Sequence, residues 1–336
     1  MKRKIKIFFR RLRSMSFKRM NSLIGKIHSE TGVPRICIFF DMIWCSVHYG
    51  MGYLDYTVFG FARVHGKKRK TYMTMNDNLS IVHRFNNKDY YYIFDDKMEF
   101  NRRFSDYIGR KWLNLKECDA KELERFCSGH KTVFVKQTET FGGQGIERID
   151  LSEISDYAAL YDRLTQNKQF LVEETIVQHE GMNALYSGSI NTLRMVTLNV
   201  NGKVHFMYAL VRMGKGGSAV DNISSGGMYT CINDSGVLTK PAFCDKTGEY
   251  YDIHPTSGTV FKGFEIPCFK QAVELVKKAA LVEPNMCYVG WDVAITPDGP
   301  VLVEGNNFPS YDMVQNHMFT DNGEGILPKF KAVLEG

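Results

Sequence analysis

Apolar positions recur at helical spacing in DDKMEFNRRFSDYIGRKWLNL, where Met98, Phe100, Phe104 and Ile108 share one side. PCFKQAVELVKKAALVEP carries the same amphipathic signature. SEISDYAALYDRLTQN reads as a further helix, with Ser152 as its N-cap. Short apolar runs in KTVFVKQ, ERIDL and QFLVEETIV read as strands. From 189 to about 233 several strands alternate with glycine-rich loops. Residues 1 to about 75 are mostly helical and irregular in pattern, first basic and then aromatic. The expected division is an N-terminal region at 1–75, a smaller lobe at 76–175 and a larger lobe at 176–336. Strands and helices are intermixed, and the strands meet through hairpins rather than regular βαβ units. That pattern favours α+β over a doubly wound sheet.

The hairpin GWDVAITPDGPVLVEGN is the most informative segment. Thr296-Pro297-Asp298-Gly299 is a turn signal between two apolar runs. Folding about Pro297 and Asp298 brings Asp292 roughly opposite Glu304. Asn306 lies two residues further along and so shares the face of Glu304. Two facing carboxylates repel each other. A divalent cation removes that conflict, and two carboxylates with an amide suit Mg²⁺ that also holds phosphate oxygens. The competing interpretation is a pair of solvated carboxylates at a strand end.

Composition narrows the class. The chain has 336 residues, 44% hydrophobic and 24% charged, as in an ordinary globular enzyme. Its eight cysteines form no Cys-x-x-Cys pair and read as reduced thiols of a cytosolic protein. No histidines have the H-E-x-x-H spacing. The net charge of +6 is uneven, because the first nineteen residues contain no acid. Among them Ile5, Phe8, Phe9 and Leu12 fall on one helical face. A basic amphipathic helix of this kind suits an anionic membrane surface, or else packs one face on its own domain. It is not a secretory signal. The aromatic run RICIFFDMIWCSVHYGMGYLDYTVFGF is interrupted by Asp41, His48 and Asp55, which points to a buried or interfacial segment rather than a membrane span. Basic residues beyond the N-terminus form no stripe, which argues against nucleic acid. The expected location is cytoplasmic, with peripheral attachment at the inner face of the membrane as an option.

Three further segments could carry chemistry. Lys136 ends a strand, and Gly142, Gly143 and Gly145 follow before the next strand. Glycines let backbone N–H groups approach phosphate closely. The order strand–loop–strand matches neither a Walker nor a Rossmann loop and suggests a flap over a triphosphate, or a plain hairpin turn. FLVEETIVQHE offers Glu173 and the backbone of Ile176 to the edge of adenine, or is an exposed acidic strand end. SGSINTLRMVTLNV supplies Asn191 and Arg194, and VRMGKGGSAVDNISSGG supplies Arg212, Asn222, Gly226 and Gly227. These are donors suited to an acyl phosphate or oxyanion, or members of an ordinary glycine-rich loop.

The order of these segments resembles the ATP-grasp superfamily. The blocks INTLRMVTL, VDNISSGG and GWDVAITPDGPVLVEGN are similar to those of its sugar-transfer-associated family, over roughly residues 50 to 330. The resemblance implies an ATP-grasp fold, with two α+β lobes clasping ATP after a mostly helical N-terminal region. It implies that Lys97 and Lys136 bind ATP phosphates and that Gly142, Gly143 and Gly145 form the flap. Glu173 and Ile176 should meet adenine, and Gln178 or Glu180 the ribose. Asp292, Glu304 and Asn306 should hold Mg²⁺. Arg194 should meet the γ-phosphate or acyl phosphate, with Arg212 and Asn222 as further catalytic groups. The activity implied is an ADP-forming carboxylate–amine ligase that makes an amide, on a sugar or uronic acid of a surface polysaccharide. An ATP-grasp sugar kinase and a non-catalytic nucleotide-binding scaffold are the alternatives. No side-chain nucleophile is needed, in keeping with the lack of a Ser/His/Asp or Cys/His signature.

Overall fold

Residues 16–138, 145–218, 221–223 and 226–336 are described by the computed structural model. The expectations for Ile5, Phe8, Phe9 and Leu12, and for Gly142 and Gly143, lie outside those residues. Contacts divide the chain into two units. One comprises the residues up to Arg84 together with Ser310–Gly336, and the other is Phe85–Pro309.

The first unit is largely helical. Ser16 caps the helix Phe17–Thr31 by accepting from Arg19 N at 3.3 Å, and Gly32 ends it at φ +73°. Pro34 then sets up the helix Arg35–Tyr49, which stops at Gly50. Met20, Ile24 and Ile27 of the first helix and Ile38, Met42 and Cys45 of the second are buried at helical spacing. Arg69, 5% exposed, pairs with Asp41 at 2.6 Å, and Tyr56 Oη donates to the same carboxylate at 2.8 Å. The C-terminal segment joins this unit through Gln315. Its Oε1 accepts from Met73 N at 2.8 Å, and its Nε2 donates to Met73 O at 3.0 Å.

The second unit holds two antiparallel sheets. The smaller has four strands, β1 (Trp112–Asn114), β2 (Thr132–Lys136), β3 (Ile146–Asp150) and β4 (Leu171–Glu174), in the order β1-β4-β2-β3. The helices Ala120–Cys127 and Tyr157–Gln166 close its core around Leu123, Val133, Val135, Leu164 and Val172. The larger sheet comprises β5 (Leu193–Val200), β6 (Lys203–Met213), β7 (Met228–Ile232), β8 (Ala242–Cys244), β9 (Glu249–Tyr251), β10 (Tyr288–Thr296) and β11 (Gly299–Asn306). Their order is β11-β10-β5-β6-β7-β8-β9. On one face Met195, Val211, Trp291 and Val293 pack with Phe104 and with Ala272 and Val276 of the helix Phe269–Ala279. Every ladder is antiparallel. The α+β class therefore holds.

Two local expectations change. Ser152 is not the N-cap of the helix after β3. It lies in a short turn, where its N–H and hydroxyl both donate to Asp150. Asp156 caps Tyr157–Gln166 instead, accepting from Ala158 N at 2.9 Å and Ala159 N at 3.0 Å. A carboxylate nearer the apolar run satisfies two otherwise orphaned helix donors. The helical run from Lys97 is also broken. It forms Lys97–Arg103 and Ser105–Ile108, interrupted at Phe104 with φ −110°, and Trp112–Asn114 becomes a strand. Phe100, Phe104 and Ile108 nevertheless enter one core, as their spacing requires.

Candidate active site

The hairpin β10–β11 turns on Pro297-Asp298, with Thr296 opposite Gly299. Thr296 Oγ1 donates to Gly299 O at 2.8 Å and tightens the turn. From there the register runs regularly to Val293 opposite Leu302, then shifts, so that Asp292 faces Glu304. The extra residue, Val303, is a β-bulge. A regular ladder would have put Asp292 opposite Val303 and sent Glu304 to the other face. The bulge brings the two carboxylates together. Beyond it Asn306 stands opposite Gly290 and on the same face.

That face continues across the sheet. Arg194 on β5 lies opposite Asp292, and Arg212 at the end of β6 donates its N–H to Thr192 O at 2.8 Å. Alternation along each strand sends Trp291, Val293 and Met195 to the apolar core. Their neighbours Asp292 and Arg194 turn the other way. Asp292 is fully buried. Arg194 Nε donates to its Oδ1, while Arg194 Nη2 at 3.0 Å and Arg212 Nη2 at 2.8 Å donate to Oδ2. Arg212 also reaches Thr192 Oγ1 at 2.7 Å and lies 3.7 Å from Asp221.

These contacts decide the charge states. Burial opposes ionisation of Asp292, but the Arg194 and Arg212 guanidiniums outweigh it and hold the carboxyl well below the usual carboxylate range. Glu304 goes the other way. Burial and then the charge of Asp292 push it up to about 7. The two carboxyls thus settle into unlike states, as close buried acids do.

The smaller sheet supplies the opposite wall. Lys136 ends β2 and forms an ion pair with Glu173 on β4. Arg110 Nη2 pairs with the same carboxylate at 2.8 Å, and Asn101 Nδ2 donates to it at 2.7 Å. Glu173 is 2% exposed, and despite burial these cations hold it strongly ionised. Lys97 opens its helix beside the Asp96 cap. Burial lowers its pKa, against the pull of Glu304 and Glu173.

A cavity of about 360 Å³ is lined by Lys97, Lys136, Glu173, Arg194, Arg212, Asn222, Asp292, Glu304 and Asn306. A second, of about 300 Å³, shares Lys136, Glu173, Thr192 and Val303 with it and adds the apolar side chains of Phe134, Ile176 and Ile190. Most of the expected site residues are thus gathered into two adjoining cavities. Glu180 is not among them. It is exposed on the short helix Glu180–Asn183 and lines neither cavity. Gln178 lines the second cavity, but its side chain is engaged by the protein. Oε1 accepts from Asn191 N at 2.6 Å, and Nε2 donates to Asn183 Oδ1 at 2.9 Å and Tyr186 O at 3.1 Å. These bonds position the approach to β5. Glu173 anchors Lys136 and Arg110, and Arg194 donates to Asp292, while both line the first cavity. Gly145 accepts from Gln137 N at 3.2 Å at φ +68°, a turn conformation that glycine adopts readily.

Arg110, Asn101, Thr192 and Asp221 were not singled out from sequence. Asp221 accepts from Thr192 N at 3.0 Å and from its hydroxyl. It stands within the quoted VDNISSGG block, so that block held its signal. For Arg110 and Asn101 no local pattern marks the role, because their partner Glu173 is 63 and 72 residues away.

The donor chemistry fits a hard divalent ion. Asp292, Glu304 and Asn306 offer oxygens on one face, and burial together with the charge of Asp292 favours the protonated form of Glu304 while no cation is bound. A small protein donor set of this type suits Mg²⁺, which keeps waters and substrate oxygens in its shell.

A family model described as sugar-transfer associated ATP-grasp matches residues 75–335. No curated protein matches the sequence. Among solved structures the chain is similar to the ATP-grasp ligase PsnB complexed with minimal precursor, at 13% identity and TM-score 0.43, covering 75% of this chain and 62% of that one. It is similar to D-alanyl-alanine synthetase A from Vibrio cholerae O1 biovar eltor, at 11% identity and TM-score 0.44, covering 73% and 66%. D-cycloserine synthetase DcsG gives 12% identity and TM-score 0.44 over 77% and 78%.

Proposed function

The chain belongs to the sugar-transfer-associated ATP-grasp family, and from that membership we propose that it is an ADP-forming carboxylate–amine ligase. The observation that carries the reading is one sheet face that collects Glu304, Asp292, Arg194 and Arg212 beside Lys97 and Lys136 in a single cavity. The apolar second cavity suits a nucleobase. Two buried donors there, Arg110 Nε and Ser189 Oγ, have no hydrogen-bond partner among the described residues and are available to its polar edge. Lys136, held by Glu173, and Lys97, at the start of its helix, both line the cavity and receive the phosphate chain.

ATP-grasp enzymes use ATP and Mg²⁺. Asp292, Glu304 and Asn306 would hold the ion, which when bound supplies charge neutralisation at the phosphoryl oxygens. Arg194 and Arg212 keep Asp292 ionised, and their guanidiniums line the cavity that would receive the phosphoryl group in transfer. The substrate carboxylate attacks the γ-phosphorus, its oxygen bonds to phosphorus, and ADP leaves. The amine then attacks the acyl carbon, inorganic phosphate leaves, and the amine gives up a proton as the amide forms. The lysine and arginine donors hold the reactants in line throughout. The family's link to sugar transfer makes a uronic acid or an amino sugar of a surface polysaccharide the proposed substrate.

The test is ADP release with uronic acids and amino compounds, singly and in pairs. Release that requires both, with inorganic phosphate and an amide of the summed mass less water, is expected. Release with one hydroxylated sugar and a phosphorylated product would make the protein a kinase. No release with any combination would leave the ligase reading without support.

A further inference from the structure

The helix Arg35–Tyr49 has two apolar faces, and among the described residues only one is covered. Ile38, Met42 and Cys45 point into the first unit. Ile36, Phe40, Trp44 and Val47 are 60%, 61%, 48% and 55% exposed. Their spacing of four, four and three residues makes one continuous stripe. The helix's one acid, Asp41, is directed away from it, to Arg69 and Tyr56. Trp44 stacks on His48 with centroids 4.6 Å apart. A row of four large exposed apolar side chains is more than the scattered singles of an ordinary surface.

What surrounds the stripe identifies its occupant. The helix packs on Phe17–Thr31, whose first turn exposes Phe17, Lys18 and Arg19. The first nineteen residues of the chain hold nine Lys or Arg and no acid, and they lead directly into that helix. Arg35 is exposed at the start of the stripe. An anionic lipid surface complements both the charge and the apolar row. Fifteen residues rise only about 22 Å, short of a hydrocarbon core of about 30 Å. Among the described residues no helix is long and apolar enough to cross a membrane. A helix of this length and polarity lies in the plane of the interface, with Trp and His rings at headgroup depth.

We propose that the face Ile36–Phe40–Trp44–Val47 is a shallow lipid-inserting surface that seats the first unit on an anionic bilayer, with the exposed Lys18, Arg19 and Arg35 of the two packed helices supplying the attraction. The inference is independent of the ligase reading.

Flotation of the full chain with vesicles of phosphatidylcholine alone, or mixed equally with phosphatidylglycerol, tests it. Binding to the mixed vesicles is expected, with a part that survives high salt. The paired substitution Phe40→Glu and Trp44→Glu should lower that salt-resistant partition by about tenfold or more, because two large side chains are then no longer withdrawn from water. Their exposure lets the variant fold, which circular dichroism checks. In the unmodified chain, lipids brominated near the headgroup should quench tryptophan emission, since Trp44 alone of the three tryptophans lies on the stripe. Three results would overturn the proposal: no vesicle binding, no quenching in the unmodified chain, or a lipid-free dimer that the paired substitution converts to monomer.

Discussion

Replacing Glu304 with Gln should stabilise the metal-free protein above neutral pH while removing its activity. Glu304 sits against Asp292, and its carboxyl is raised from an ordinary 4.5 to about 7. A raised acid pKa means that the folded state holds the proton more tightly than the unfolded chain does. The stability is therefore full below about 4.5, and it falls as pH rises through the window between 4.5 and 7. At about 1.4 kcal/mol for each tenfold in proton affinity, a rise of this kind is worth a few kcal/mol. Gln keeps the shape and cannot ionise. Urea unfolding in chelator should thus find the two proteins similar near pH 4.5, with the variant more stable at pH 8 by a few kcal/mol. With Mg²⁺ and ATP at pH 8 the order should reverse. The native carboxylate gains a cation, whereas the variant gains little and forms no ADP. A gap between the proteins that does not change with pH would refute the electrostatic argument. Near-normal ADP formation by the variant would refute the metal assignment.

Glu173→Gln leaves Arg110 and Lys136 around a neutral amide, and should cost about 3–5 kcal/mol in denaturant unfolding as well as weaken ATP binding. A loss under 1 kcal/mol would show that the pair is solvated. Gly305→Ala puts a Cβ 2.7 Å from the rings of both Phe94 and Phe100, so a destabilisation of about 1–3 kcal/mol is expected; unchanged thermal unfolding would contradict that packing. Gly145→Val meets Gln137 at 2.8 Å and disfavours φ +68°, and should raise the KM for ATP. A KM equal to that of the native protein would reduce the segment to a turn. The lipid flotation described above is the remaining prediction, and it concerns the first unit alone.

Local pattern was enough for most of the elements, and the order of the blocks for the family. Alternation around TPDG defined the β10–β11 hairpin, and hairpins without βαβ units implied an antiparallel α+β architecture, which the register confirms. The paired acids, the strand-end Lys136 and the order of the blocks pointed to the cavity that now gathers them. These signals lie within a few residues of one another, where turn chemistry and side-chain period leave few alternatives. The tertiary structure decided the partners. Only the Val303 bulge determines that Glu304, and not Val303, faces Asp292. Arg194 is clamped on an aspartate 98 residues away, and Arg110 reaches a glutamate 63 residues away. The segment Ser310–Gly336 returns to the first unit through Gln315, 242 residues from Met73. Such pairings depend on how sheets stack and where a ladder slips, and a charge buried by that stacking must take whichever counter-charge the fold brings within reach.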